Sequence, residues 1–218
     1  MDSISLRLIT HQSFFKAVGC GDLESLKIII KNEELDLSSL LSLQNGRETA
    51  LYVAAANNYE EIVSYLLGFC DLEVALIRSK ADFDAFHVAA KSGHLVNFDA
   101  FHVAAKSGHL GIVGELLAMW PGLCKVCNSS NTSPLYSAAV KGHLDVVNAI
   151  LDADVSSIRI VRKNGKTALH TTARYGLLDI VKALIERDPD IISIKDKKGQ
   201  TALHMTVKGQ DTSLVGEM

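Results

Sequence analysis

The sequence predicts an all-α solenoid in which helix-turn-helix units stack and short β-hairpin turns join them. The stretch 164–185, NGKTALHTTARYGLLDIVKALI, predicts a turn, a short helix, a second turn and a longer helix. Related stretches recur along the chain, and the last three steps between them are each 34 residues long. A fixed period of this length is typical of repeat architectures, in which each unit packs on its neighbours.

The unit at 164–185 can be justified residue by residue. Asn164-Gly165 is a turn dipeptide, because both residues tolerate a positive φ. Thr167 can cap the first helix with its hydroxyl, and Gly176 ends that helix. The second helix follows with one apolar face, formed by Ile180, Val181, Leu184 and Ile185.

The pattern T-A-L-H-x-x-A at 167–173, followed by a second amphipathic helix, closely resembles the ankyrin-repeat signature T-P-L-H-x-A. The resemblance implies an ankyrin-repeat solenoid in a single domain of residues 1–218. Positions equivalent to the cap Thr167 are Gln12, Thr49, Asp99, Ser133 and Thr201. The predicted units therefore lie near 12–45, 49–80, 98–130, 133–164, 167–198 and 201–218.

Individual units depart from the pattern in interpretable ways. The first has Phe15 where others have His or Tyr, as expected of a terminal repeat with one neighbour. The second has Asn58 in the glycine position, where a positive φ is required. The fourth places Pro134 at the first helical position, where the missing N–H costs nothing. Thr172 and Thr206 replace alanine, so each hydroxyl needs a local backbone acceptor.

One segment interrupts the period. FDAFHVAAKSGHL occurs identically at 83–95 and 98–110, an offset of 15 residues. We assign the second copy to the regular unit and expect 83–97 to form an extra half-unit that bulges from the stack. The alternative is an in-frame duplication, or an error in the coding sequence, without functional meaning. The last unit stops at Met218 within its second helix, which indicates the front part of a longer protein.

Composition excludes several classes of protein. The formal net charge is −3 and no long Lys/Arg tract occurs, which argues against a nucleic-acid-binding protein. Residues 1–10 lack the apolar run of a signal peptide, and no stretch is long enough to predict a membrane span. The expectation is a cytoplasmic chain, and its four cysteines do not indicate a disulfide framework.

The residues that could carry chemistry favour structural roles. Seven of the eight histidines fill two positions of the repeat, the T-x-L-H position and the Gly-His turn. Cys124-Lys-Val-Cys127 is the one C-x-x-C motif, and it lies in a loop without a partner pair for zinc. A thiol redox protein remains a remote alternative. Otherwise we predict no enzyme, no catalytic residue, no metal and no cofactor.

The C-terminal part is basic. Between Arg159 and Lys208 eleven Lys/Arg residues stand against five acids, and several lie in hairpins that stacking would align beside a concave groove. This predicts a docking surface for an acidic protein segment or an anionic membrane; the alternative is ordinary solvated hairpin tips. The candidate partner-binding residues are Ser129, Ser130, Lys141, Arg162, Lys163, Lys166, Arg174, Tyr175, Lys198 and Gln200.

The resemblance can be narrowed. The stretches NTSPLYSAAVKGHLDVVNAIL, KNGKTALHTTARYGLLDIVKALIERDP and KDKKGQTALHMTVKGQ, with FDAFHVAAKSGHLGIV, look like plant ankyrin-repeat membrane proteins of the salt-tolerance and accelerated-cell-death type. The match covers most of 49–210. It implies stress or defence signalling at the cytoplasmic face of the plasma membrane, where full-length relatives are anchored by a C-terminal membrane domain that this chain lacks.

Two hypotheses of function follow. The first is a non-catalytic protein–protein interaction scaffold in plant stress or defence signalling, whose specificity lies where the units differ. The second is a truncated fragment of a plasma-membrane ankyrin protein with no independent function. Neither hypothesis names the partner protein.

Overall fold

The fold repeats a pair of helices along the chain. The computed structural model describes residues 3–32, 41–45, 48–75, 77 and 100–209. Its principal α-helices are α1 (Ser3–Cys20), α2 (Leu23–Asn32), α3 (Ala50–Ala56), α4 (Glu60–Leu67), α5 (Leu72–Ala75), α6 (Ala100–Ser107), α7 (Leu110–Met119), α8 (Pro134–Lys141), α9 (Leu144–Ala153), α10 (Ala168–Arg174), α11 (Leu178–Arg187) and α12 (Ala202–Gly209). A two-stranded antiparallel hairpin, β1 (Gln44–Asn45) and β2 (Glu48–Thr49), precedes α3.

The helices stack in two rows. The first helices of the units, α1, α3, α6, α8, α10 and α12, pack on one another in that order, and the second helices α4, α7, α9 and α11 form a parallel row behind them. The first helices bury alanines such as Ala54, Ala104 and Ala138, whose small side chains let neighbouring helices approach closely. The second helices bury Val, Ile and Leu. The predicted fold class, a repeat solenoid, is confirmed.

The predicted caps and helix starts also hold. Thr49 Oγ1 accepts a hydrogen bond from the Tyr52 N–H at 3.2 Å, and Ser133 Oγ accepts one from the Tyr136 N–H at 3.1 Å. Pro134 is the first residue of α8. The hydroxyl of Thr172 donates to the carbonyl oxygen of Ala168 at 3.1 Å, so it finds the local acceptor that its position requires.

Glycine is required at the turn before α10 for two reasons. Gly165 has a φ of +82°, and a Cβ at this position would lie 2.7 Å from the backbone nitrogen of Lys197. Asn164 does not share the positive φ, so the turn needs only one left-handed residue. In the equivalent turn of the preceding unit, Asn131 takes the left-handed conformation, at +55°.

The first helix differs from the prediction. It begins at Ser3, so Gln12 lies inside α1 and cannot be its cap. No Gly or Pro interrupts the chain from Ser3 to Val18, and nothing in that stretch ends a helix. The hairpins differ as well. Gln44–Asn45 pairs with Glu48–Thr49 as two short strands, whereas the hairpins at 128–132, 162–166 and 196–200 contain no strand.

A second feature was not predicted. Short 3-10 helices follow the second helices at Pro121–Lys125, Val155–Arg159 and Pro189–Ser193. Each turns apolar side chains into the core, including Leu123, Cys124, Ile158 and Ile191. These elements cover the ends of the second helices before the chain enters the next hairpin.

The duplicated stretch 83–95, the proposed half-unit 83–97, Asp99 and the end of the chain after residue 209 lie outside the described residues. The units on either side of the duplication are nevertheless direct neighbours. Helix α3 packs against α6, and the ring Nδ1 of His109 lies 2.6 Å from the carbonyl oxygen of Ala55. Ser64 Oγ donates to the Glu115 carboxylate at 2.7 Å, which joins α4 to α7.

Candidate binding groove

Three hairpin turns stand in a row, centred on residues 128–132, 162–166 and 196–200. Backbone hydrogen bonds link each tip to the one before it. The Lys163 N–H donates to the Ser130 carbonyl oxygen at 3.2 Å, and the Lys197 N–H donates to the Asn164 carbonyl oxygen at 3.1 Å. The second bond repeats the first one 34 residues later. Backbone hydrogen bonds therefore fix the hairpin tips relative to one another.

An open groove of about 320 Å³ lies between the hairpin 196–200 and the helices α10 and α12. It brings together four of the candidate residues and five others. Five of its side chains are cationic and one is a carboxylate. The lining residues are Asn164, Lys166, Arg174, Asp196, Lys197, Lys198, Gln200, Met205 and Lys208.

A smaller depression of about 190 Å³ adjoins this groove, because both are lined by Asn164. The other residues that line it are Ser130, Arg162 and Lys163, all of them candidates from the sequence. The basic groove, defined by the nine residues above, therefore continues toward the preceding hairpin.

The carboxylate of Asp196 accepts hydrogen bonds from the backbone of its own hairpin. This residue is 6% exposed, and its Oδ1 accepts hydrogen bonds from the backbone N–H groups of Lys198 at 2.8 Å and Gln200 at 3.0 Å. The bond from Gln200, the largest cause, and that from Lys198 lower the pKa of Asp196 below its ordinary value. Lys166 is close enough to contribute to the same shift.

The cations of the groove make few contacts with the rest of the described chain. The half-buried Lys166 places its Nζ 3.6 Å from the sulfur of Met205, and Lys208 Nζ donates to Gln200 Oε1 at 2.7 Å. None of the five groove cations forms an ion pair with an acid in the described ranges. Ion pairs occur instead around the 3-10 helices, as between Arg159 and Asp188 and between Lys125 and Asp154.

Arg162 lines the adjoining depression, but its side chain is used within the stack. Its Nε donates to Thr132 Oγ1 at 3.0 Å, and its Nη1 donates to the Tyr136 hydroxyl at 3.3 Å. The guanidinium carbon lies 5.0 Å from the centre of the Tyr136 ring, which is within the range of a cation–π contact. Two of its five N–H donors therefore join two units.

Three candidates line neither depression. Ser129 and Lys141 are exposed at a hairpin tip and at the end of α8, and Tyr175 is 61% exposed after α10. Conversely, the structure adds Asn164, Asp196, Lys197, Met205 and Lys208 to the lining of the groove. The two lysines contribute to the basic excess seen in the sequence, whereas nothing in the sequence distinguishes Met205 from a core methionine.

His170 holds the groove hairpin against α10. Its Nδ1 accepts hydrogen bonds from the N–H of Thr167 at 3.2 Å and from the Thr167 hydroxyl at 2.9 Å. Its Nε2 therefore carries the proton and donates to the Gln200 carbonyl oxygen at 3.0 Å. The ring is fully buried, and burial lowers the pKa of His170 below 6.5.

His102 makes the equivalent contact two hairpins earlier, from Nε2 to the Thr132 carbonyl oxygen at 3.1 Å. His102 and His170, both at the T-x-L-H position, thus each connect their own unit to the next hairpin. This accounts for them without metal binding or catalysis. The described residues contain no cluster of His, Cys, Asp or Glu suited to a metal ion.

The C-x-x-C motif lacks the setting of a redox site. Cys124 belongs to the 3-10 helix Pro121–Lys125 and is buried in the core, and its thiol lies 3.7 Å from the Ile150 carbonyl oxygen. Burial is the main cause that raises the pKa of Cys124 to about 11, so the nucleophilic thiolate is disfavoured. The arrangement argues against the redox alternative and for a packing role.

Across the described ranges, no helix combines the length and the apolar character that crossing a membrane requires.

Comparisons with known proteins are consistent with this geometry. A family model described as "Ankyrin repeats (3 copies)" matches residues 14–99, 96–159 and 155–215. Among curated relatives are two ankyrin repeat-containing proteins of Arabidopsis thaliana. One is 52% identical over 145 residues, covering 61% of this chain and 24% of the relative. The other is 44% identical over 71 residues, covering 32% of this chain and 14% of the relative. The chain thus spans a quarter or less of the length of these relatives.

Proposed function

Because this chain belongs to the ankyrin-repeat family, we propose that it is a non-catalytic scaffold that binds a partner protein along its hairpin tips and first helices. The observation that carries the proposal is the bonded row of hairpins at 128–132, 162–166 and 196–200. A rigid row of this kind presents one extended surface, on which side chains can differ without changing the backbone.

The side chains at the tips support this role. Equivalent positions carry Ser129, Lys163 and Lys197, which change from a neutral to a charged residue on the same backbone. The neighbouring position carries Ser130, Asn164 and Lys198. The surface therefore varies in charge and hydrogen-bonding capacity from unit to unit, and such variation selects one partner over another.

We further propose that the partner acts in plant stress or defence signalling at the cytoplasmic face of the plasma membrane. The support is the resemblance to plant ankyrin-repeat membrane proteins, together with the relatives from Arabidopsis thaliana. Loss of the gene should alter the response of seedlings to salt or to a defence elicitor. An unchanged response to both treatments would contradict this part of the proposal.

Site-specific crosslinking tests the scaffold function. A photoreactive amino acid is placed at Lys163 on the hairpin row, or at the exposed Glu186 on the second helix α11. Each folded variant, checked by circular dichroism and by size in solution, is then irradiated in plant extract. We expect defined protein adducts from position 163 and none from position 186. Equal labelling from both positions, or no adduct from 163, would count against the proposal.

A further inference from the structure

We propose that the basic groove binds an acidic segment of the partner, in which Asp and Glu carboxylates meet the groove cations. The inference rests on the proposed scaffold function and adds the chemistry of the partner. It starts from the charge of the groove, where Lys166, Arg174, Lys197, Lys198 and Lys208 face a single carboxylate.

The one carboxylate cannot neutralise the groove. Asp196 is a buried residue of the hairpin, and its Oδ1 accepts hydrogen bonds from two backbone N–H groups. The five cations have no acidic partner in the described ranges, although the same chain pairs Arg159, Arg187 and Lys125 with acids elsewhere. The scaffold thus holds like charges together, which attracts an anionic ligand and speeds its association.

The walls of the groove suit a peptide. The amide oxygens of Asn164 and Gln200 accept from the Lys166 N–H and from Lys208 Nζ, so their NH2 groups offer neutral donors between the cations. Lys166 is half-buried, with its ammonium against the sulfur of Met205. A partly desolvated ammonium interacts more strongly with a carboxylate than a fully solvated one does.

The concave shape favours a peptide over a membrane. A bilayer surface reaches exposed tips such as Lys163 and Lys198, but a flat surface cannot follow the groove to Lys166 between the hairpin and the helices. An extended segment can enter the groove and continue over Asn164 toward the adjoining depression. We therefore assign the cations to carboxylates of a protein segment rather than to lipid headgroups.

A labelled peptide tests the assignment. The probe is a fluorescein-labelled peptide of about ten residues, spanning at most about 35 Å when extended, in which Glu and Asp alternate with Ser. Binding is measured by fluorescence anisotropy. We expect the peptide with Gln and Asn in place of the acids to bind at least about tenfold more weakly, and added salt to weaken the acidic peptide. Equal affinity of the two peptides would overturn the proposal.

Matched variants distinguish the groove from net charge. Arg174→Glu with Lys198→Glu reverses two exposed groove cations, and Lys31→Glu with Lys195→Glu makes the same charge change at two exposed lysines outside it. We expect the first pair to weaken the acidic peptide at least about tenfold and the second pair to change its affinity less than about threefold. An equal loss of peptide affinity in the two double variants would show that the peptide is attracted by the overall charge of the chain. That result would overturn the assignment.

Two further arms separate this inference from the scaffold function. Vesicles with phosphatidylserine should not bind the chain more tightly than the acidic peptide does; tighter binding to the vesicles would assign the cations to lipid instead. The crosslinker at Lys163 is also introduced into the Arg174→Glu, Lys198→Glu variant. If partner adducts persist there at full yield, the scaffold function stands and the groove assignment fails. If the chain with the crosslinker at position 163 and an unchanged groove also gives no adducts, the scaffold function fails.

Discussion

The buried ring of His170 shows how one residue links the repeat pattern to the groove. It accepts from Thr167 in its own unit and donates to the Gln200 carbonyl oxygen in the next hairpin. Both bonds require the neutral ring with the proton on Nε2, because a protonated Nδ1 would turn a donor toward the Thr167 N–H. The motif histidine therefore stabilises the position of the hairpin that carries Lys197 and Lys198.

The first prediction is an acid-sensitive stability that depends on His170. Burial holds its pKa in the folded chain below 6.5, so the unfolded chain takes up a proton first as the pH falls. The contribution of the neutral His170 ring to the free energy of unfolding is therefore fully present above pH 6.5. It decreases as the pH falls from 6.5 to the pKa of the folded state, by up to about 1.4 kcal/mol per pH unit. Urea unfolding between pH 7.5 and pH 5 measures the effect.

The matched variant is His170→Tyr, since Tyr52 and Tyr136 occupy the same repeat position. It removes the titrating ring but keeps a residue that the position accepts. Its stability should change less between pH 7.5 and pH 5 than that of the unmodified chain. The pKa of Asp196 is lowered from 3.8, so this carboxylate stays ionised between pH 7.5 and pH 5. Its contribution to the free energy of unfolding is lost only below that range. The same pH dependence in both proteins would refute the role given to His170.

A second residue-scale prediction concerns Asn128. Its Oδ1 accepts from the N–H groups of Ser130 at 2.9 Å and Thr132 at 3.0 Å, while its buried Nδ2 donates no hydrogen bond to the described protein. Asp196 holds the equivalent position two hairpins later. Asn128→Asp keeps the acceptor and removes the unpaired donor, so we expect a stability gain of about 1 kcal/mol at pH 7. Denaturant unfolding measures it.

The reciprocal change is Asp196→Asn, which replaces a charged acceptor by an amide and introduces an unpaired Nδ2 at the hairpin. It should lower the denaturation midpoint. If Asn128→Asp is destabilising and Asp196→Asn is not, the hydrogen-bond account of the two hairpins is wrong.

At the scale of the element, the sequence predicts those features that a single unit determines. The caps at Thr49 and Ser133, Pro134 at the start of α8 and the left-handed Asn58 each depend on residues within a few positions. The start of α1 was missed, because the repeat pattern says nothing about residues before its first capping position. The 3-10 helices were missed since a run of five residues shows no helical period.

The groove could be predicted only in part, for a different reason. The basic excess indicates a charged surface, but which cations meet depends on packing between units 34 residues apart. Arg162, a candidate for partner binding, also bonds Thr132 and Tyr136 of the preceding unit. Met205 joins the groove because α12 packs on α10. Such contacts appear only once the units are stacked.

The third prediction concerns the contact that sets the distance between α10 and α12. A Cβ at Gly209 would overlap the carbonyl oxygen of Arg174, whereas one at Gly114 in α7 would meet nothing within 4 Å. Gly209→Ala should therefore force the two helices apart and cost about 1–3 kcal/mol. Gly114→Ala, the same change in a free position, should stabilise the chain by up to about 1 kcal/mol. Thermal or denaturant unfolding compares them.

Because Arg174 lines the groove, the Gly209→Ala change should also weaken binding of the acidic peptide without altering any charge. Gly114→Ala should leave that affinity unchanged. Tolerance of Gly209→Ala in both stability and binding would mean that the close approach of α12 to Arg174 does not set the groove.

At the scale of the whole molecule, each unit contacts the units directly before and after it. Helix α10 packs between α8 and α12, and α11 packs on α9. Stability in such a stack is close to a sum of unit and interface terms, so a local change need not weaken the whole chain. The hairpin bonds at Lys163 and Lys197 follow the same order.

The fourth prediction is that a core substitution destabilises its own unit and the neighbouring units but not the distant ones. Leu184 is fully buried in α11, and Leu184→Ala should remove about 2–5 kcal/mol from the units it contacts. Hydrogen exchange followed by mass spectrometry should then be faster across 164–209, less affected across 133–153 and unchanged across 49–67. The basic groove would open with the C-terminal units while the N-terminal units stay protected. Equal acceleration over all described residues would instead show that the chain unfolds as one cooperative unit, and a partner bound in the groove would then stabilise the N-terminal units as much as its own.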